Sequence, residues 1–251
     1  MAKQIPQAVI AQYLLKQQPL DFQEAGIKCL KYLRLSDIYS NSNPYLLRIG
    51  PFMTPRERVE AALGAHLAAN EESMLGEVLK DLAIFLCQQA YGVHGKSSAE
   101  GIDLEFENDN IRYLIAIKSG PNWGNSSQIK KMQDNFRQAM RIFRQGNKSR
   151  QIICINGCCY GAQRLSNEDR GNYRKLCGQR FWEFITGDAG IYKRIIEPIG
   201  EKARERNEAF HSQREKVVDS FTDEFRAAFC DQTNSIQWPK IVELASGAPT
   251  K

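Results

Sequence analysis

Gly101-Ile102-Asp103-Leu104-Glu105-Phe106-Glu107, the polar Asn108-Asp109-Asn110, and Ile111-Arg112-Tyr113-Leu114-Ile115-Ala116-Ile117-Lys118 together form the stretch whose reading decides the fold. Both flanking runs are rich in Ile, Leu, Phe and Tyr, which suits two antiparallel strands joined by a tight turn. With Asp109-Asn110 as a two-residue turn, Glu107 pairs with Arg112, Glu105 with Leu114 and Asp103 with Ala116. Side chains alternate along a strand, so Lys118 shares the face of Ala116 and approaches Asp103.

A lysine that closes an Ile-Ala-Ile strand is unusual, because buried lysines are almost always paired. A carboxylate pair beside an ammonium holds Mg²⁺ through oxygen ligands, orients a water and stabilises charge developing on a phosphate. Those are the requirements of phosphodiester hydrolysis. A surface hairpin with incidental charges is the competing reading of the spacing alone.

The order Asp103, then Ala116-Ile117-Lys118, resembles the Asp … acid-x-Lys signature of the PD-(D/E)XK nuclease superfamily, most of all its type II restriction endonucleases. The continuation Lys118-Ser119-Gly120-Pro121-Asn122-Trp123-Gly124-Asn125 resembles a PmeII-like group among them, and the likeness extends over roughly residues 70 to 200. The resemblance implies an α/β fold, a mixed sheet flanked by helices, and Mg²⁺-dependent sequence-specific cleavage of double-stranded DNA by a twofold homodimer. Asp103, Lys118, Glu77 and the substituted position Ala116 become the catalytic positions, and Asp103, Glu77 and Ile117 the metal positions.

Ala116 departs from the pattern, because it stands where many superfamily members carry Glu or Asp and it cannot bind a metal. Three explanations stay open: a deliberate replacement that traps a substrate complex, a lineage that has lost activity, or another carboxylate that serves instead. Within the superfamily the acid sometimes lies on the preceding helix. Glu77 is the candidate there, in a segment where Leu75, Val78, Leu82, Phe85 and Leu86 form an apolar helical stripe over 74–90. Asp81 and Glu105 are substitutes, and plain solvation of the helix flank is the alternative.

The chain has 251 residues, 42% hydrophobic and 25% charged, enough for one good core with small helical additions. A net charge of +5 and a pI near 8.8 are only mildly basic, so the distribution of charge is more telling. Lys130, Lys131, Arg137, Arg141, Arg144, Lys148 and Arg150 face a single acid, Asp134, across 129–150, which suits a phosphate backbone. Ile129, Met132, Phe136, Ala139, Met140 and Phe143 recur there at helical spacing, predicting an amphipathic helix over about 125–144. Ser119, Asn122, Trp123, Asn125, Ser126 and Gln128 in the preceding loop, with Lys130 and Lys131, are the candidate DNA contacts, and Ser126 is a candidate helix cap. His94 and Lys96, in a Gly- and Ser-rich loop, and Gln163, Arg164, Gln179 and Arg180 are weaker candidates.

Seven cysteines contain no Cys-x-x-Cys pair, and the three histidines are scattered, which argues against structural zinc. No apolar leader or long apolar span is evident, which points to a cytoplasmic chain without membrane contact. Gln151–Ile155 reads as a central strand ending in a turn at Asn156-Gly157. Two helices are predicted over 56–62 and 74–90, and a short one from Gly178 to Gly187 with Phe181, Trp182 and Ile185 in the core. Phe210, Val217, Phe221, Phe225 and Ala228 predict a tail helix, followed by an end at Trp238-Pro239 that frays. The expected organisation is one compact domain made of an N-terminal helical extension (1–60), a nuclease core (61–200) and a C-terminal helical extension (201–251). A repair or recombination nuclease, a nuclease-fold DNA-binding protein without catalysis, and a protein-interaction module are the alternatives.

Overall fold

The computed structural model describes residues 2–16, 22–52, 54–92, 95–146, 151–162, 168–199 and 207–247. His94, Lys148, Arg150, Gln163 and Arg164 lie outside the described residues. The chain forms two compact units, one from Met1–Leu20 and Leu75–Lys202, the other from Asp21–Met74 and Ala203–Lys251.

The first unit is built on a five-stranded mixed sheet in the order β1-β2-β3-β4-β5: β1 Gly95–Lys96, β2 Leu104–Asn108, β3 Ile111–Lys118, β4 Gln151–Cys158 and β5 Arg174–Cys177. β1, β2 and β3 are antiparallel neighbours, whereas β3, β4 and β5 run parallel. The β2–β3 register is the one that the hairpin pattern predicts, with Glu107 opposite Arg112 and Glu105 opposite Leu114. Asp109 and Asn110 take φ values of 50° and 62°, the left-handed pair that a two-residue type I′ turn needs and that Asn and Asp tolerate.

Each face of this sheet is covered by helices. Leu114, Ala116 and Cys154 pack with Met132, Phe136 and Ala139 of α6 (Ser126–Gly146), the helix expected from the 129–143 periodicity. On the opposite face, Phe106 and Tyr113 meet Tyr91 of α5 (Pro55–Tyr91) and Phe184 of α7 (Gln179–Thr186) at ring separations of 5.0–5.9 Å. α1 (Gln7–Lys16) adds Tyr13, stacked 4.0 Å from Phe85 of α5. Phe181, Trp182 and Ile185 are buried as predicted, and Gly187 closes α7 with φ 70°.

Several expectations are corrected. Asn156-Gly157 is not a turn: β4 continues to Cys158, with Asn156 opposite Ala116 and Gly157 opposite Ile117. A Cβ at Gly157 would sit 2.2 Å from the Phe181 ring, so this glycine permits a close helix–sheet approach instead of a bend. Gly157→Ala is therefore expected to lower stability by about 1–3 kcal/mol, read as a drop in Tm. Gly95-Lys96 is a short edge strand and not loop. The two helices predicted over 56–62 and 74–90 are one, because Leu63–Ser73 contains no proline and a single glycine.

In the second unit, α2 (Phe22–Tyr32), α3 (Leu35–Ser40), α4 (Pro44–Ile49), the first part of α5, α9 (Asn207–Phe229) and α10 (Trp238–Ala245) share a core; α8 (Ile191–Arg194) belongs to the sheet unit. Tyr39, Leu63, Val217, Phe221, Phe225, Phe229 and Ile241 are buried together, Phe229 taking the place expected for Ala228. The C-terminal end does not fray at Trp238. The guanidinium groups of Arg48 and Arg58 both lie over its indole, 4.9 and 4.7 Å from the ring centroid, and Ile241 is buried.

Candidate active site

Asp103 stands just before β2, where the hairpin register leaves it opposite Ala116. Its N–H donates to the Ile115 carbonyl at 2.9 Å, and its carboxylate Oδ2 accepts from the Ile117 N–H at 2.7 Å. A carboxylate held by a main-chain donor is fixed in direction before any ligand arrives. Burial raises the Asp103 carboxyl above its ordinary value, opposed by the Ile117 N–H and by the charges of Lys80 and Lys118. In an antiparallel pair, alternate residues turn both peptide groups to the neighbouring strand, so the Ile117 carbonyl also lies on the Asp103 side.

Lys118 ends β3, half-buried, with its Nζ 4.7 Å over the Trp123 ring. Trp123 is itself anchored, its Nε1 donating 3.2 Å to Oδ1 of Asn156, whose Nδ2 donates 3.3 Å to the Ala116 carbonyl. This chain of bonds gives the Lys118 ammonium a fixed aromatic floor. Ala116 lies at the centre of the same face, 1% exposed and packed in the cluster that holds Met132 and Phe136.

α5 supplies the remaining charges. A Cβ at Gly76 would lie 3.3 Å from the Ser119 Cβ, so the helix crosses at the residue next to Lys118. Glu77 follows, its carboxylate paired with Lys80; the Glu77 side chain is 69% exposed and that of Lys80 only 26%. Burial would lower the Lys80 ammonium, but Glu77, Asp103 and Asp81 together raise it above its ordinary value. Asp81 is exposed, and Glu105 accepts a 2.7 Å bond from Ser97 Oγ. Asp103 is thus within electrostatic range of Lys80, Lys118 and Glu77, and Lys80 within range of Asp81 as well, whereas Glu105 is bonded to Ser97.

The loop from Ser119 to Gln128 leaves the strand as expected, but the helix cap is Asn125 and not Ser126. Asn125 Oδ1 accepts from the Gln128 N–H at 3.1 Å, and Gln128 Oε1 accepts from the Asn125 N–H at 3.0 Å, a reciprocal capping box. Ser126 is the first helical residue, one position too late for that role. Asn122, Ser126, Lys130 and Lys131 are exposed, as are Arg137, Arg141 and Arg144 farther along α6. Lys175 Nζ donates 2.7 Å to the Pro121 carbonyl and pins the loop from the β5 side.

Lys80 and Asn156 are the site residues that sequence reasoning missed. Lys80 has no local signal, because with Glu77 it reads as a solvated i,i+3 pair. Asn156 has none, since Asn-Gly reads as a turn. The cysteines at the end of β4 are buried, and burial pushes the Cys159 thiol up to about 12, the nearby Asp103 carboxylate adding to the effect. They are packing thiols in this state. Among the described residues no three His, Cys, Asp or Glu side chains gather to hold a metal ion. No described helix is long and apolar enough to cross a membrane.

The family model of the type II restriction endonuclease EcoO109I matches residues 9–207, which includes the whole hairpin, the loop and α6. The comparison with curated proteins returns no match. The finer PmeII-like likeness rests on the 118–125 run alone.

Proposed function

This chain belongs to the type II restriction endonuclease EcoO109I family, and from that premise we propose that it hydrolyses DNA with Mg²⁺ at the Asp103–Lys118 centre. The family is one of sequence-specific endodeoxyribonucleases. The observation that carries the assignment of the centre is the Asp103 carboxylate, bonded to the Ile117 N–H and facing the charge of Lys118 across one strand pair.

The donor set fits a sparsely held Mg²⁺: Asp103 Oδ1, to which no described group donates, and the Ile117 carbonyl, with Glu77 available once it leaves Lys80. Mg²⁺ keeps several waters and takes one or two carboxylates plus phosphate oxygens, so three carboxylates are not required. Bound there, it would supply Lewis-acid stabilisation and a more acidic water. Lys118, steadied over Trp123, orients the attacking water and stabilises the negative charge that develops on the phosphate. Asn122, Ser126, Lys130 and Lys131 offer exposed donors to the flanking phosphates, whereas Asn125 and Gln128 already spend their side-chain oxygens on the cap. The protein would act in the cytoplasm within a restriction–modification system, as a twofold dimer on palindromic sites. Sedimentation at one protomer mass on cognate DNA would contradict the dimer.

A second reading, a nuclease-fold DNA-binding protein without catalysis, draws on Ala116, whose methyl group is sealed in the apolar seam. Ala116→Glu separates the two. A carboxylate buried there without a partner is expected to lower stability by about 1–3 kcal/mol in EDTA. If position 116 borders the metal, Mg²⁺ restores much of the lost Tm and cleavage is retained or raised. Cutting by Ala116→Glu alone, with none by the parent, supports the second reading.

A further inference from the structure

Lys80 is unused in the mechanism above, yet it is the second ammonium of the centre. Gly76 and Lys80 are separated by one helical turn and lie on one face of α5, and helical side chains lean toward the N-terminus. The Lys80 side chain therefore reaches back over the Gly76 turn, which approaches Ser119 to within a Cβ contact of 3.3 Å. Its half-burial and the electrostatic reach of Asp103 agree with that direction. The charged groups around it are Glu77, Asp81 and Asp103, with Lys118 on the facing strand end.

We propose that Lys80 is a second phosphate-binding ammonium of the catalytic centre, held by Glu77 until DNA enters. The proposal rests on the nuclease reading and adds to it an exchange of partners. When a phosphodiester enters, Lys80 leaves the Glu77 carboxylate for a phosphate oxygen, and Glu77 is released toward the metal. One residue pair thereby couples DNA arrival to completion of a donor set that Ala116 leaves one acid short.

The full chain is titrated with a fluorescent mixed-sequence duplex in EDTA across a salt series, as the parent and as Glu77→Gln, Lys80→Met, Lys80→Arg and the Glu77→Gln/Lys80→Met pair. Glu77→Gln is expected to bind at least about threefold tighter than the parent. Lys80→Met is expected to bind more weakly, with its log–log salt slope shallower by about 0.9, and Lys80→Arg to bind like the parent. In the Lys80→Met background Glu77→Gln is expected to change nothing. Equal tightening by Glu77→Gln with and without Lys80 would overturn the proposal, because Glu77 would then only repel DNA. So would parent-like affinity and slope in Lys80→Met at an unchanged Tm. Cleavage by the parent is scored separately: its absence would defeat the nuclease reading, whereas intact cleavage with an inert Lys80 would defeat this inference alone.

Discussion

Asp103→Asn is expected to reduce Mg²⁺-dependent cleavage by at least about 10³-fold while raising the Tm of the metal-free protein. The loss follows from removing the one carboxylate that the β2–β3 register fixes at the strand end. The gain follows from linkage. Burial raises the Asp103 carboxyl in the folded state above its unfolded value, so the fold favours the protonated form. Its contribution to stability is therefore greatest below the unfolded value and is lost as pH rises through the folded value. Near neutral pH the parent bears that penalty, and the amide removes it while still accepting from the Ile117 N–H. Melting in EDTA and single-turnover cleavage check both halves, and a lower Tm for Asp103→Asn at neutral pH would show that the carboxylate is stabilising.

Lys118→Ala is expected to reduce cleavage by about 10²–10³-fold with a much smaller effect on DNA affinity. One ammonium among many basic groups contributes little to binding, but at the centre it meets charge that exists only in the transition state. Trp123 still donates to Asn156 in this variant, so the loop keeps its anchor and Tm changes little. A proportionate loss of affinity and rate would instead make Lys118 a binding residue. The two variants separate by stability: Asp103→Asn raises the Tm and Lys118→Ala does not.

The hairpin was legible because two independent constraints agree on it, the period of two along each strand and the φ > 0 tolerance of Asp109-Asn110. The α6 stripe was legible for the same kind of reason, since Met132, Phe136 and Ala139 repeat at helical spacing and are buried. Asn156-Gly157 was misread because a turn signature is local, whereas the Phe181 ring that selects glycine there comes from a helix more than twenty residues later. Ser126 and Asn125 are both good caps by type, and only the reciprocal bond with Gln128 decides between them. Glu77 and Lys80 resemble a solvated i,i+3 pair on any helix. What brings them toward Asp103 and Lys118 is the approach of Gly76 to Ser119, a contact across more than forty residues that no local pattern encodes. Position 116, expected from the motif to be a missing acid, is buried among Met132 and Phe136, which explains why a small residue is tolerated there.

The most direct measurement is digestion of a long mixed-sequence duplex with Mg²⁺ by the unmodified chain beside Lys118→Ala. Discrete fragments from the parent, suppressed in Lys118→Ala and abolished by EDTA, are the expected result for a sequence-specific nuclease centred on Asp103 and Lys118. Fragments of equal yield from Lys118→Ala, or no fragments from a parent that binds the same DNA, would contradict it.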